Sequence, residues 1–549
     1  MQPRFLCRAT ALWLAAGTAG ASAQTPPDAG ALQQQIERER QQQLPRRLAP
    51  EKPAEPPSLQ PRGGITVTVR EFRFAGNTLI AAEQLAPALA GYLDRPLDFA
   101  QLQAAAAAVA TAYREAGWIV RTYLPQQDID GGIVTIQVVE AVFGGASLDG
   151  PEPTRLKLST VLSYFSEQQK TGEPLNADAL DRALLLADDL PGITVAGTLR
   201  PGQREGETDL VLKLADEALA VGEVGLDNAG AKSTGDQRLT ANLSLNSPAG
   251  LGDLLGANLI RTRGSDYARL AYSLPVGNDG WRLGASFSEL RYRLLQKPYD
   301  SSTDKGSSTT LGLDASYPLL RSRLANFYVN LNYDHKAFDN RNATANAATG
   351  GIASRYKIDA ISIGLAGNLF DNLGGGGANS ANLALVFGDR EAGINTVAQH
   401  FGKLRFGASR QQVITSDVSL YGALSGQQAR RNLDSSERFY LGGAGGVRAY
   451  PASEAGGSSA YSATVELRWK LPDSFLLTGF VDSGAVRNYE NAGNQYSLSG
   501  GGLSLGWQGP GGLNLKLTWA SRIGDNPHPA DAHESVKSSR WWMSASLPF

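Results

Sequence analysis

The sequence predicts two tandem α+β domains followed by an antiparallel transmembrane β-barrel of about 16 strands. Three observations carry that reading. Helical patterning stops near Leu219 and strict alternation replaces it for the rest of the chain. Residues 65–216 read as β-α-α-β-β twice over. The last segment puts Trp541, Met543, Ala545, Leu547 and Phe549 on one face and Trp542, Ser544 and Ser546 on the other. A strand with one apolar face is what a closed barrel in lipid needs, because its last strand must pair with its first and leave no edge.

The barrel follows from parity and scale. Leu239, Ala241, Leu243 and Leu245 alternate with Thr240, Asn242, Ser244 and Asn246. Phe327, Val329, Leu331 and Tyr333 repeat the pattern, as do Val465, Leu467 and Trp469 against Glu466, Arg468 and Lys470, and Leu513 to Trp519. Roughly 330 residues of such strand, with no second apolar layer, suit a barrel with lipid outside and a polar lumen. At about 20 residues per strand and connection, the count comes to about 16. A barrel that wide cannot fill its lumen with wall side chains, so something must plug it or pass through it.

Composition is consistent with this. The 549 residues contain 62 glycines and one cysteine, and mean hydropathy is −0.23, a value a half-apolar barrel strand tolerates. No run of roughly 18 apolar residues follows the N-terminal segment. Net charge is −2, which gives no argument for nucleic acid. Residues 1–23 have the layout of a secretory signal: Arg4 and Arg8, the apolar run Ala9–Ala16, then Ala21-Ser22-Ala23. Cys7 lies within it and precedes the apolar run, which argues against lipidation there. The mature chain is then expected to lack any thiol or thiolate metal site.

Residues 24–45 hold a polar helix, Gly30 to Leu44, whose only large apolar residues are Leu32, Ile36 and Leu44. So thin a stripe suits a solvated helix, one in a wet polar cavity, or a disordered tail. Pro45 ends it, and residues 46–64 read as a Pro-rich extended linker. The first α+β unit spans 65–141, with strands near Ile65–Phe74, Trp118–Leu124 and Ile133–Val139 and helices at Ala82–Leu93 and Phe99–Ala116. The second spans 142–217, with strands at Phe143–Leu148, Thr194–Arg200 and Thr208–Leu214 and helices at Leu156–Phe165 and Asn176–Ala187. Two copies of one unit form an internal repeat. Residues 218–549 are the barrel.

Three motifs then resemble one family. Tyr123-Leu124-Pro125-Gln126-Gln127-Asp128, followed by Gly132 to Glu140, resembles the end of the first POTRA domain of two-partner secretion transporters, the outer-membrane haemolysin-activator and filamentous-haemagglutinin-transporter type. Leu441 to Tyr450 resembles the tip of the long loop that folds into that family's lumen. Phe480-Val481-Asp482-Ser483-Gly484 resembles its inner-wall motif. The resemblance implies two POTRA domains in the periplasm, a plug helix at 24–45, and a monomeric barrel in the outer membrane. It implies a function: an unfolded partner exoprotein (adhesin, haemolysin or contact-dependent inhibition protein) is recognised in the periplasm and threaded to the surface. It implies no cofactor and no metal. Further partners would be outer-membrane lipid and the barrel assembly machinery, for which Phe549 resembles the signal. The site residues implied are Val447, Arg448 and Tyr450 at the loop tip and Phe480, Asp482 and Gly484 on the wall. One departure stands out: the family's tip reads Val-Arg-Gly-Tyr, and Ala449 here replaces a Gly that would permit positive φ.

The chemistry of Arg448 and Asp482 has its own logic. A bidentate guanidinium–carboxylate pair would fix a loop against a wall with direction. Strand parity puts Phe480, Asp482 and Gly484 on one face, and a carboxylate is disfavoured in lipid, so that face should be luminal. Gly479 and Gly484 would leave room for the loop, and Gly442–Gly446 and Ala455–Ser459 would make it supple. Rival functions have weaker support. His335, His400, His528 and His533 lack metal or catalytic spacing, and Gly442–Gly446 lacks the Lys-Ser/Thr of a phosphate loop, so an enzyme is not indicated. A passive porin would not need the repeat. A protein insertase of the same superfamily usually has more POTRA copies and no plug helix.

Overall fold

The computed structural model describes residues 28–42, 66–129, 131–204, 206–295, 302–342, 351–489, 495–530 and 535–549. The expected signal segment 1–23 and linker 46–64 lie outside these residues. Among the described residues no helix is long and apolar enough to cross a membrane; the crossing is made by strands.

The two α+β units share one sheet plan. In the first, Glu71–Ala75 runs parallel to Ile133–Glu140, which pairs antiparallel with Val120–Tyr123. In the second, Val142–Leu148 runs parallel to Glu207–Asp216, which pairs antiparallel with Ile193–Pro201. Helices Ala82–Leu89 and Phe99–Glu115 cover the first sheet, and Leu158–Gln168 and Ala177–Asp188 the second. Local chemistry sets the starts. Asp98 accepts from the Gln101 amide at 2.7 Å while Gln101 reaches back to the Asp98 amide, a capping box. Asn176 caps the last helix through the Ala179 amide at 2.9 Å. The first copy adds a two-rung ladder, Val67–Thr68 with Pro96–Leu97, so its opening strand is broken where a continuous one was expected. Each copy has its own apolar core, around Leu85, Val109 and Ile136 in one and Phe143, Phe165 and Leu212 in the other.

Sixteen antiparallel strands, from Ala220–Asp227 to Ser539–Pro548, close into a barrel. The last strand pairs with the first from Ser544–Asp227 to Pro548–Glu223, and Phe549 and Gly222 exchange backbone hydrogen bonds at 2.9 and 3.0 Å. The expected parity is visible around the wall. Leu259, Leu270, Phe287, Leu311, Leu331, Ile361, Phe387, Val465, Leu503 and Met543 are exposed on the outside. Ser288, Thr310, Asn340, Glu466, Thr518 and Trp542 are buried on the inside. The second α+β unit docks on the barrel's POTRA-side turns. Arg321, its side chain 2% exposed, clasps Asp189 at 2.7 and 2.9 Å, and Arg182 meets Asp279 at 3.2 Å.

Candidate functional site

The lumen holds two bodies besides the wall: the N-terminal helix and the loop between strands Val418–Ala429 and Ser459–Leu471. The loop folds inward, and its tip, Leu441–Tyr450, reaches strands Ser459–Leu471 and Phe475–Arg487. Those strands pair so that Thr464 lies opposite Asp482 and Glu466 opposite Phe480, all on the luminal face. Arg448 sits where these side chains converge. Its Nε and Nη2 donate to the two Asp482 carboxylate oxygens at 2.8 and 2.7 Å. Its backbone amide donates to Asp482 at 3.1 Å. Its Nη1 donates to Glu466 at 2.8 Å, and Nη2 also to Thr464 Oγ1 at 3.0 Å. The guanidinium lies 3.4 Å over the Phe480 ring, a cation–π contact. Asp482 has no exposed surface. Arg448 thus bridges two shielded carboxylates, which its planar fork allows, and Arg468 shares Glu466 at 2.7 Å.

The other expected site residues gather here as well. Val447 and Tyr450 are fully buried with Phe480 in an apolar cluster that includes Leu441, Ala449 and Leu498. Gly484 lies so close to Leu441 that a Cβ there would meet its Cδ2 at 2.6 Å. Gly479 does something else: parity turns it outward, where its nearest neighbour is Leu503. The residue that makes room is Gly500 on the next strand, whose missing Cβ would lie 2.5 Å from that of Ala449. Ala449 is absent from the positive-φ residues, so the turn does not need a glycine there. The glycines before Arg448 serve close packing where suppleness was expected. A Cβ on Gly446 would strike the Leu441 carbonyl, and one on Gly442 the Pro451 carbonyl. Phe549 lies apart from this cluster, on the outer face at the closing seam with its ring against Gly222.

Several anchors escaped the sequence reading. Trp542 donates its indole N–H to the Arg448 carbonyl at 2.8 Å. At the base of the loop, Glu437 bridges Lys336 and Lys403, each at 2.6 Å, with side-chain exposures of 3%, 14% and 2%. On the return arm, Glu454 is fully buried and accepts from Asn526 at 2.7 Å, the Ala530 amide at 3.0 Å and Ser535 at 2.5 Å. The alternating phase already placed Glu466 on the polar face. What parity cannot supply is the inter-strand register, or where a loop about 30 residues long touches down.

The helix Ala29–Gln42 also lies in the lumen. Asp28 caps it by accepting from the Ala31 amide at 2.9 Å and also accepts from Ser435 of the loop at 2.7 Å. Its thin stripe, Ala29, Leu32 and Ile36, packs on luminal Tyr267, Leu290, Tyr292 and Phe338. Polar contacts hold the rest. Ala29 donates to Asn340 at 3.1 Å, Tyr267 to Glu37 at 2.5 Å, and Ser453 to Gln35 at 2.7 Å. Gln33 bonds Thr310, and Arg38 donates to the Tyr440 carbonyl while lying 3.8 Å over Phe439. Arg238 links Glu39 to Asp227. A helix polar on nearly every face is stable here because the wall is polar too.

Comparison with known families decides the class. Residues 206–509 match the family of the haemolysin secretion/activation proteins ShlB, FhaC and HecB, and residues 67–141 match its POTRA domain. The chain belongs to this family. It is an outer-membrane β-barrel transporter of two-partner secretion, with its POTRA region in the periplasm. Among its relatives, the heme/hemopexin transporter protein HuxB of Haemophilus influenzae is 25% identical over 95% of each chain. The outer membrane transporter CdiB of Dickeya dadantii is 26% identical, covering 84% of this chain and 82% of its own. The structure of CdiB from Escherichia coli superposes with a TM-score of 0.73 at 21% identity, over 96% of this chain and all of that one, a likeness of fold.

Proposed function

We propose that this transporter exports a partner exoprotein by exchanging the two luminal bodies for the passing chain. The observation that carries the reading is how the lumen is filled. The helix is seated largely by hydrogen bonds and ion pairs over a thin apolar stripe, and the loop by the Arg448 contacts together with an apolar cluster at its tip. The helix's polar contacts have water-bonded equivalents, so its release costs less than pulling out an apolar core. The unfolded cargo docks in the periplasm on open strand edges of the repeat by strand addition. Ile193–Pro201 fits that role, because it lies at one edge of its sheet and its residues beyond Val195 are exposed. The helix then vacates the lumen, the Arg448 contact opens, and the cargo threads outward. Relatives named as haemolysin and heme/hemopexin transporters and as CdiB frame the cargo class: a haemolysin, an adhesin-like binder or a contact-dependent inhibition protein. The reading includes no catalytic step. Assembly machinery reads Phe549 during insertion, and lipid supports the wall.

The test is single-channel recording in planar bilayers. Deleting residues 24–44 should raise conductance, and unchanged conductance would remove the plug from the scheme. Replacing residues 65–216 should abolish export while leaving a heat-modifiable barrel. Capture of cargo fragments by the barrel alone, and not by the repeat, would refute docking on the repeat.

A further inference from the structure

The outer wall carries a charge pattern that transport does not use. Strands Trp281–Arg293, Lys305–Arg321 and Ala325–Arg341 are neighbours, and their register sets Arg293 opposite Lys305 and Lys305 opposite Arg341. Three cations therefore stand side by side on one face. That face is the outside, since Phe287, Leu311 and Leu331 share their parity and are exposed. All three cations are exposed as well. Like charges directly across strands repel. Carboxylates relieve only part of this: Asp339 pairs with Arg341 and Arg355, and Glu289 with Arg291. Among the described residues neither Arg293 nor Lys305 has a carboxylate partner. The strand directions place the row at the end away from the POTRA domains, at the outer leaflet.

The height of the row says what would meet it. Below it on successive rungs lie Ser307 with Asp339 and Arg355, then Thr309 with Lys357, then Leu311 with Phe287. A rung is two residues, roughly 7 Å along a strand and about 5 Å along the normal at the usual tilt. The cations stand about 15 Å above the first apolar rung. A glycerophospholipid phosphate sits too low for that. A headgroup of phosphorylated sugars spans it. Between row and apolar rung opens a cleft of about 350 Å³ whose lining mixes apolar surface, such as Ala337 and Ala392, with donors and acceptors for sugar hydroxyls on Asp339, Arg355, Lys357 and Glu391. The opposite wall lacks this. At the matching ends of strands Ser459–Leu471, Phe475–Arg487 and Gln495–Gln508 stand Tyr461, Ala485 and Ser497, with Arg487 the one cation on the next rung.

We propose that Arg293, Lys305 and Arg341, with the cleft beneath them, form a binding site for a phosphorylated glycolipid of the outer leaflet. Acyl chains would lie along the Leu311 and Leu331 columns, sugars in the cleft and anionic groups on the cation row. The test uses the full-length protein in detergent, with lipid A bearing its phosphorylated inner core as probe and native mass spectrometry as readout. The triple substitution Arg293→Gln, Lys305→Gln, Arg341→Gln should weaken binding on the order of 100-fold, since each basic group near an anionic lipid surface contributes roughly fivefold. Arg487→Gln on the opposite wall should leave binding unchanged. Equal binding by the triple variant overturns the proposal. So does equal competition by inorganic phosphate, which would make it a free-anion site, or equal binding of phosphatidylglycerol, which would make it unspecific charge. Should the triple variant lose its heat-modifiable form, Lys305→Gln alone should still weaken binding about fivefold, and no change there overturns the site equally.

Discussion

Replacing Arg448 with alanine should undock the luminal loop without unfolding the barrel. The wild-type side chain makes four hydrogen bonds, to Asp482, Glu466 and Thr464. The substitution leaves Asp482, with no exposed surface, without a cation, while Glu466 keeps Arg468 at 2.7 Å. Breaking a buried pair from one side costs about 3–5 kcal/mol, and the polar lumen argues for the lower figure. About 3 kcal/mol is a factor of roughly 100 in the docked population. The wall's own ladder is untouched, so insertion should survive. Export of the partner exoprotein, relative to the amount of heat-modifiable barrel, should fall sharply. A cysteine placed at Ser453 should become more reactive to a water-soluble maleimide. Arg448→Lys keeps the charge but loses the fork, and should fall between. The swap Arg448→Asp with Asp482→Arg should recover part of the export. Wild-type export by Arg448→Ala, or an unchanged Ser453→Cys labelling rate, would refute the reasoning. Loss of the barrel itself would assign Arg448 to folding.

Three other outcomes follow from the same geometry. Glu437→Gln leaves Lys336 and Lys403 without a carboxylate, so the loop base should loosen and proteolysis near residues 430–440 should rise even with Arg448 intact. Arg321→Ala removes the clasp on Asp189, and spin labels on the second α+β unit and the barrel rim should report a broader distance distribution with conductance unchanged. Glu140 gives a pH dependence in the first unit. Burial pushes its carboxyl up, but hydrogen bonds from Thr78, from the Leu79 amide and from the Tyr113 hydroxyl outweigh this and hold it below its ordinary value of 4.5. A lowered carboxyl contributes stability above its unfolded value and loses it as pH falls through the folded one. Protection of the Thr78 and Leu79 amides, taken relative to their intrinsic exchange rates, should therefore fall below about pH 4.5 in wild type, and Glu140→Gln should flatten that response.

How much of this was legible beforehand depends on the kind of information each feature needs. The barrel wall needs only parity, and residues such as Val465, Glu466 and Leu467 declare it in three letters. The repeat needs only periodicity and turn residues. The meeting of Arg448 with Asp482 needs a long loop to turn inward, and no local pattern encodes that; the family's motifs pointed to it. Glu437, Glu454 and Trp542 stayed hidden because their partners are 34 to 101 residues away and neither side has a local signature. Gly479 makes no room for the loop, although it is near Asp482 in sequence, because its odd position turns it to the outer face. Gly500 does that work from the adjacent strand, which register alone reveals.

Helix and loop also touch each other, and that has a thermodynamic consequence. Asp28 meets Ser435, Arg38 meets the Tyr440 carbonyl and Gln35 meets Ser453, so the two bodies share an interface inside the pore. Their occupancies are then linked, and linkage is reciprocal. Whatever factor helix removal applies to the seating of the loop, freeing the loop must apply to the seating of the helix. Under the proposed exchange, a cargo segment displacing the helix would begin to loosen the loop before reaching it. On the proposed scheme, the pore's two obstacles would then open as a coupled pair rather than independently.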